Sequence, residues 1–524
     1  MTFRSDDPLT NSTAVELSAR LSRGETSAEE LARAHLDRIV TIDGRLSAFV
    51  SVHRAEALAA AREADRRRAA GERGPLLGVP VSIKENLDCE GRAATLGIVA
   101  RSTHRAARDA VIVRALREVG AVVLGQTNVP QLLLSHETRN PLYGATVNPW
   151  SAEHAPGGSS GGEGAAIAAG LSPLGIGTDI GGSIRVPAHW CGIAGFKPSL
   201  DRWSNRGSNG AMPGQETIRS QLGPMARSVA DLVLAFEALD PRRMSELDPL
   251  VPPLAFGEVR TIDVRTLRVG YFVDDGIVAP SFAVARAVDT AARALRGRGV
   301  DVVPFTPPDL REAIGRYFAI MSADGSRTAW SLLAGSAVEP TLAPVQRLAA
   351  MPSAVRAGAI RALRALGQDR PAFFLAQLGE KSVTDLWRLT REARAYRLEL
   401  LDAMRAAHVD VLLCPPHATP AVPHGKSPHF LAAGSYSMLF NLVQFPAGVV
   451  PVGTVTHAEA GRAQGHDRID RIACEVDARS AGLPVGVQIA APPFADERAL
   501  AVMLALEEAL AGAADRPRTP RAPA

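Results

Sequence analysis

The alternation of apolar and polar positions divides the chain into helices and strands that take turns along its length. "SAEELARAHLDRIV" from Ser27 and "RAEALAAAREADRRRAA" from Arg54 have helical spacing, and the first opens with a Ser-x-x-Glu capping box. "GVPVSIKEN", residues 78–86, is a short apolar strand whose alternation is broken by Lys84. Residues 110–130, "AVIVRALREVGAVVLGQTNVP", predict a helix, a stop at Gly120, a strand and a turn. Further on, "LRVGYFVDD" and "VDVVPF" are strands on either side of the helical "SFAVARAVDTAARALRGRG". This succession predicts an α/β architecture. The longest stretch free of Asp, Glu, Lys and Arg, from Ser427 to about Thr456, is long enough to raise the question of a membrane span. Asn441, Gln444, Pro446 and Pro451 interrupt it and its end is β-branched, so it predicts a buried helix followed by a core strand.

From Gly157 the composition turns to Gly, Ser and Ala, "GGSSGGEGAAIAAGLSPLGIGTDIGGSIRVP", which permits close backbone packing. After Asp240 a Pro-rich stretch, "DPRRMSELDPLVPPLAFGE", suggests a boundary before a more variable second half, although the α/β pattern continues beyond it. The tail from 512 to 524 is expected to be disordered. At 524 residues with 46% hydrophobic and 22% charged residues and a net charge of +3, nothing demands a basic face, and nucleic acid is not implied. Cys89, Cys191, Cys414 and Cys474 lack Cys-x-x-Cys spacing, which argues against a zinc site or a disulfide framework and fits a reducing cytoplasm. No basic segment followed by an apolar run opens the chain, so a secretory signal is not expected.

Ser183, in "GTDIGGSIRVPAHW", follows two glycines and precedes an Ile-Arg pair. By itself the peptide is a turn from strand to helix with its serine as an N-cap. A nucleophilic serine needs a base, and His189 stands on the short element that Ser183 opens, where it does not face the hydroxyl. Two other stretches offer partners: Lys84 in "GVPVSIKEN", and Ser159 with Ser160 in "PGGSSGGEG". "GGSSGG" lacks the Gly-Lys-Ser/Thr ending of a phosphate loop. It does fit Gly-x-Ser-x-Gly centred on Ser160, which His408 or His417 could complete as an α/β-hydrolase triad, but no strand precedes it and no HGGG-type motif lies upstream.

In this order, the three motifs around Lys84, Ser159–Ser160 and Ser183 resemble the amidase signature family of serine hydrolases, which use a Ser, cis-Ser, Lys triad. The resemblance implies a large twisted mixed central sheet flanked by helices on both faces. It also implies a single amidase domain over 1–524, with its signature core at 75–235. Carried over by position, Ser183 is the nucleophile, Ser159 the bridging serine after a cis peptide bond and Lys84 the base. The amides of Ile180, Gly181, Gly182 and Ser183 form the oxyanion hole, with Ser160, Thr178, Asp179 and Arg185 in support, the last two as an ion pair or through backbone hydrogen bonds. No metal or organic cofactor is required.

The physics agrees with this reading. A lysine with a reference pKa of about 10.4 acts as a base near pH 7 only if burial disfavours its charge. Glu85 would oppose that if it faced Lys84, but strand alternation sends it to the other side. Neutral Lys84 would then deprotonate Ser183 through Ser159 and return the proton to the leaving amine.

Other stretches narrow the resemblance toward the fatty acid amide hydrolase branch: "TNVPQLLLSHETRNPLYGATVNPW", "GGSSGGEGA" with Glu163, "GTDIGGSIR" with Ile180, "SVTDLWRLTREARAYRLELLDAM" and "FPAGVVPVGTV". The branch implies hydrophobic carboxylic amides as substrates, with ester cleavage alongside, and it places Leu133 and Leu134 on an acyl channel. By residue type alone those leucines are ordinary core. The alternative is a component of the amidotransferase A type that works with a companion protein, from which Ile180, usually Thr in that type, points away. Residues 341–368, with Arg347, Arg356, Arg361 and Arg364 and no acidic residue, form a basic amphipathic segment. It either packs its apolar stripe on the core or, as part of a cap over 340–380, touches a membrane surface peripherally. A homodimer is compatible with all of this.

Overall fold

The computed structural model describes residues 7–463, 465 and 467–519. Eleven strands form one sheet. In chain order they are β1 (Phe49–Val52), β2 (Pro80–Lys84), β3 (Val122–Thr127), β4 (Leu174–Asp179), β5 (Ala194–Lys197), β6 (Gln221–Ala226), β7 (Arg268–Tyr271), β8 (Asp301–Pro304), β9 (Val411–Cys414), β10 (Ala447–Thr454) and β11 (Pro484–Ala490). Across the sheet the order is β1-β3-β2-β4-β6-β5-β10-β11-β9-β7-β8. β3, β2 and β4 are mutually parallel, as are β9, β7 and β8. The strands between these two groups pair antiparallel, and β1 closes one edge antiparallel to β3. This is the mixed sheet that the sequence implied.

The helices that matter here are α1 (Ala28–Leu46), α2 (Arg54–Ala69), α3 (Val111–Glu118), α4 (Gly161–Ala168), α5 (Arg185–Cys191), α6 (Val229–Ala238), α7 (Phe282–Gly297), α8 (Leu310–Met321), α9 (Ser353–Ala365), α10 (Asp369–Gln377), α11 (Val383–Ala406), α12 (Ser435–Leu442) and α13 (Asp496–Ala509). The expected capping box starts α1: Ser27 Oγ accepts the Glu30 amide at 3.1 Å, and the Glu30 carboxylate accepts the Ser27 amide at 2.8 Å. Gly120, at φ +79°, ends α3 and hands the chain to β3.

Strand alternation sorts the two faces. Along β9, Val411 and Leu413 join the apolar cluster that holds α1, α6, α7 and α13, whereas Leu412 and Cys414 join the one that holds α8, α11 and α12. The uncharged stretch from Ser427 supplies α12, buried along its whole length, and then β10. No helix among the described residues is long and apolar enough to cross a membrane.

In the Pro-rich stretch after Asp240, Val251 is buried and Phe256 stacks on Phe236 of α6 at 4.6 Å, and β10, from the second half, pairs with β5 from the first. The tail from 512, expected to be disordered, runs along the body as far as it is described. Asp515 pairs with Arg286 and Arg516 with Glu507, charges that hold this segment down. Residues 520–524, and the first six residues of the chain, lie outside the described residues.

Gly223 shows how tightly the centre is built. It lies on β6 opposite Gly177 of β4, and a Cβ at this position would stand 2.0 Å from the Phe196 carbonyl oxygen on β5. Backbone atoms cannot yield as a side-chain tip can. Gly223→Ala should therefore cost about 1–3 kcal/mol, seen as a lower urea midpoint at unchanged slope. A midpoint equal to that of the wild type would show that the β5–β6 spacing can relax.

Candidate active site

β2 ends on Lys84, whose side chain is wholly buried. Its Nζ lies 2.7 Å from Ser159 Oγ and 2.8 Å from Thr178 Oγ1, and it donates to the Thr178 carbonyl at 3.4 Å. Burial pushes its pKa down to about 7, against the opposing charges of Asp179, Glu163 and Glu85. Glu85 points the other way, as alternation requires, and its carboxylate accepts the amides of Thr95 and Leu96. Glu163, in the first turn of α4, receives Ser82 Oγ at 2.5 Å and Thr127 Oγ1 at 2.9 Å, and burial pushes it up to about 7. The same dry surroundings thus favour the neutral form of both groups.

The Gly158–Ser159 peptide bond is cis. Beside it, the Ser160 amide donates to the Ser183 carbonyl at 3.1 Å, laying one serine loop along the other. Among the described residues no hydrogen bond joins Ser159 Oγ to Ser183 Oγ, so that link is open in this geometry. Hydrogen bonds of this kind are commonly long until substrate is bound.

The loop from Ile180 to Ser183 joins β4 to α5, and every peptide plane in it is fastened. In a trans peptide the carbonyl and the following N–H point in opposite directions, so holding a carbonyl aims the next amide. The Asp179 carbonyl accepts Asn441 Nδ2 at 3.3 Å, and the Ile180 carbonyl accepts Tyr317 Oη at 3.1 Å. The Gly181 carbonyl meets His136 Nε2 at 3.0 Å, and the Gly182 carbonyl accepts the Val186 amide at 2.7 Å. The amides so aimed are those of Ile180, Gly181, Gly182 and Ser183. One departs from expectation: the Gly182 N–H donates to Asp179 Oδ1 at 2.9 Å and is already engaged. The other three meet no acceptor among the described residues. Gly182 has φ +104°, and a Cβ on Gly181 would stand 2.5 Å from Tyr317 Oη, so neither position tolerates a side chain.

Beneath the loop, Asp179 and Arg185 form an ion pair with no solvent exposure, Nη2 to Oδ1 at 2.9 Å and Nε to Oδ2 at 3.0 Å. All five guanidinium hydrogens are matched, the remaining three by the Ser437 carbonyl (2.8 Å), Gln488 Oε1 (2.6 Å) and Asn441 Oδ1 (2.7 Å). Asp179 also accepts the Ile184 amide at 3.1 Å and Asn441 Nδ2 at 2.9 Å. Burial alone would raise its pKa, but the charge and hydrogen bonds of Arg185, with Lys197 and Asn441, hold it well below the usual carboxylate range.

Residues 30–500 match the family model described as Amidase. The chain belongs to the amidase signature family. It is an amide-hydrolysing enzyme. Fatty-acid amide hydrolase 1 of Sus scrofa is 38% identical over 506 residues, a span of 95% of this chain and 85% of that protein. A solved structure of a fatty acid amide hydrolase superposes with a TM-score of 0.84 at 26% identity, covering 97% of this chain and 86% of its own. The A-type component of the glutamyl-tRNA(Gln) amidotransferase of Acidothermus cellulolyticus is 34% identical over 518 residues, 95% of this chain and 94% of that one.

Among the described residues of the amidase no histidine hydrogen-bonds the side chain of Ser159, Ser160 or Ser183. His189 is buried, its Nδ1 accepting the Gly486 amide and its Nε2 meeting the Thr419 carbonyl. His417 packs edge-on against Trp190, and His408 is exposed at the turn after α11. Ser160 exchanges hydrogen bonds with the backbone of Thr178, accepting its amide and donating to its carbonyl, and touches none of them. Leu133 and Leu134 are partly buried against an apolar cluster of Leu96, Ile98 and Leu132, alongside Met212 and Trp330. His136, Tyr317, Asn441 and Gln488, which hold the loop and the ion pair, were not singled out as site residues by the sequence. Asn441 gave one signal, as a polar break in an otherwise apolar run.

Asn441 serves both partners of the buried pair at once. Asn441→Leu keeps the branched outline but leaves one Arg185 donor unmet in a dry site and takes one of three donors from Asp179 Oδ1, at a cost of about 2–3 kcal/mol. Chemical denaturation against wild type measures it, and a change too small to resolve would show that water reaches the pair.

Proposed function

We propose that the amidase cleaves carboxylic amide bonds through an acyl-enzyme on Ser183, with Ser159 as proton bridge and Lys84 as base. The observation that carries this reading is the 2.7 Å contact between Ser159 Oγ and a wholly buried lysine whose pKa lies at about 7. Neutral Lys84 accepts the Ser159 proton as Ser159 takes the proton of Ser183, and Ser183 Oγ attacks the substrate carbonyl. Charge on the carbonyl oxygen is met by the free amides of Ile180, Gly181 and Ser183. Collapse expels the amine, which receives the proton from Lys84 back through Ser159, and water then releases the acid by the same relay.

Hydrophobic amides fit best, with esters turned over alongside. The apolar surroundings of Leu133 and Leu134 support an acyl-binding wall, as does likeness to proteins named for fatty acid amides. Peripheral contact with anionic lipid belongs to the same reading. α9 has no buried residue, Val355 and Leu366 are exposed, and Arg347, Arg361 and Arg364 accompany them. The amidotransferase likeness supports a second reading, catalysis only with a companion protein. Turnover by the purified chain alone would dismiss it, and glutaminase activity that needs an added companion would favour it.

Because burial lowers the pKa of Lys84, its basic form appears above about pH 7 rather than above 10. The kcat/KM for an amide should therefore rise with a one-proton slope through about pH 7 and then level. Lys84→Ala should lose about 10²–10⁴-fold on amides and less on matched esters, because an alkoxide leaving group needs the returned proton less. Equal losses on the two substrates would contradict the relay.

Substrate length tests the acyl wall separately. Across primary amides from acetamide upward, each buried methylene should add about 0.8 kcal/mol, roughly fourfold in kcat/KM, until the channel is full. A maximum at acetamide or propionamide, or a flat series, would remove the long-channel reading and leave the relay standing.

A further inference from the structure

A cleft of about 400 Å³ opens between the loop that precedes β6, one side of α11 and the end of α12. Thr217, Arg219, Thr390, Arg394, Arg397 and Gln444 line it, and Lys84, Ser159 and Ser183 do not. Its volume falls in the range of small-molecule sites, roughly 300–1,000 Å³. Its polar lining does not suit an acyl chain.

The charges around it are unequal. Arg219 is engaged, by Asp201 at 2.5 Å and Glu216 at 3.5 Å. Arg394 and Arg397 make no ion pair or side-chain hydrogen bond among the described residues, although they stand three residues apart on α11, where side chains are neighbours. Two like charges at that spacing repel each other. Moreover, Arg397 Nε is buried without an acceptor, the kind of unmet donor that folded proteins seldom leave to themselves. Burial first, and Arg394 second, hold the Arg397 pKa below its ordinary value. An anion between the two guanidinium groups would remove both penalties.

Glu216, which pairs with Arg219, and three apolar side chains also line the cleft, with neutral polar groups beside them. Thr217 Oγ1 and Thr390 Oγ1 lie 3.0 Å apart, and Gln444 Nε2 donates to the Thr217 carbonyl at 3.4 Å. The planar fork of a guanidinium matches carboxylate and phosphate oxygens two at a time. We propose that this cleft is a binding site for a small solute bearing a carboxylate or phosphate group, held by Arg394 and Arg397. It is independent of the reading of Ser183, since no residue of that relay takes part.

Calorimetric titration of the full chain in chloride buffer, with inorganic phosphate in one arm and citrate in the other, tests it. Saturable one-site binding with a Kd of about 1 mM or tighter is expected for at least one of them. Saturation by citrate alone identifies a carboxylate ligand, and by phosphate alone a phosphate ligand; both outcomes uphold the site. R394Q and R397Q should each weaken binding about tenfold or more, R397K less than R397Q, and R361Q, exposed on α9, not at all. Should R397Q fail to fold, R394Q carries the test, because Arg394 is exposed and its removal opens no cavity. No saturable binding of either anion to wild type, or binding unchanged in R394Q, would overturn the proposal.

Discussion

The buried pair of Asp179 and Arg185 is the constraint on which the rest of the site depends. Two charges taken out of water are stable only if their mutual attraction and every remaining hydrogen-bonding position compensate for lost solvation. Here the compensation comes from β4 and α5, from Ser437 and Asn441 on α12 and from Gln488 on β11, segments that fall far apart in the chain. The pair therefore works as an assembly point. Once it is made, the positions of β4, α5, α12 and β11 relative to one another are fixed, and so is the loop that Asp179 begins.

That loop is held largely by its carbonyls, and among the described residues the amides of Ile180, Gly181 and Ser183 meet no acceptor. Asp179 also takes the Gly182 and Ile184 amides, so the carboxylate that anchors Arg185 shapes the turn after it. The charges of Asp179 and Glu163 oppose a neutral lysine at Lys84, but burial outweighs them. Glu163, the other nearby acid, is itself pushed toward neutrality by burial. Desolvation then decides the state of Lys84.

Much of this was legible in the sequence because it rested on local pattern. Lys84 stood out by breaking an apolar strand, Glu85 followed from period-two alternation, and the clustered glycines marked where backbone approaches backbone. The helix and strand hidden in the uncharged stretch were read from prolines and β-branching. The fasteners were not legible. Tyr317 lies on an ordinary amphipathic helix, and His136 in a loop with no periodicity, and each gains its role only when the fold carries it to a carbonyl in the Ile180–Ser183 loop. Asn441 was noticed for being polar, yet nothing local says that it faces an arginine more than two hundred residues away. The ion pair of Asp515 was not legible either, because its partner Arg286 lies more than two hundred residues away.

α12 borders both the buried ion pair and the arginine cleft. Asn441 clamps Arg185 on one side, while Leu442 and, just beyond the helix, Gln444 line the arginine cleft on another. Proximity alone does not couple two sites, for coupling needs an element with two arrangements that both sites bias. Every residue of α12 is buried, and Ser437 and Asn441 are held by Arg185, so a shift of the helix would break the hydrogen bonds that compensate this buried charge pair. The cleft has the opposite character, with an exposed arginine on one wall and room to admit solvent. Packing therefore makes α12 a rigid partition, with the buried Asp179–Arg185 pair on one side and, on the other, a cleft whose unpaired arginines belong to α11.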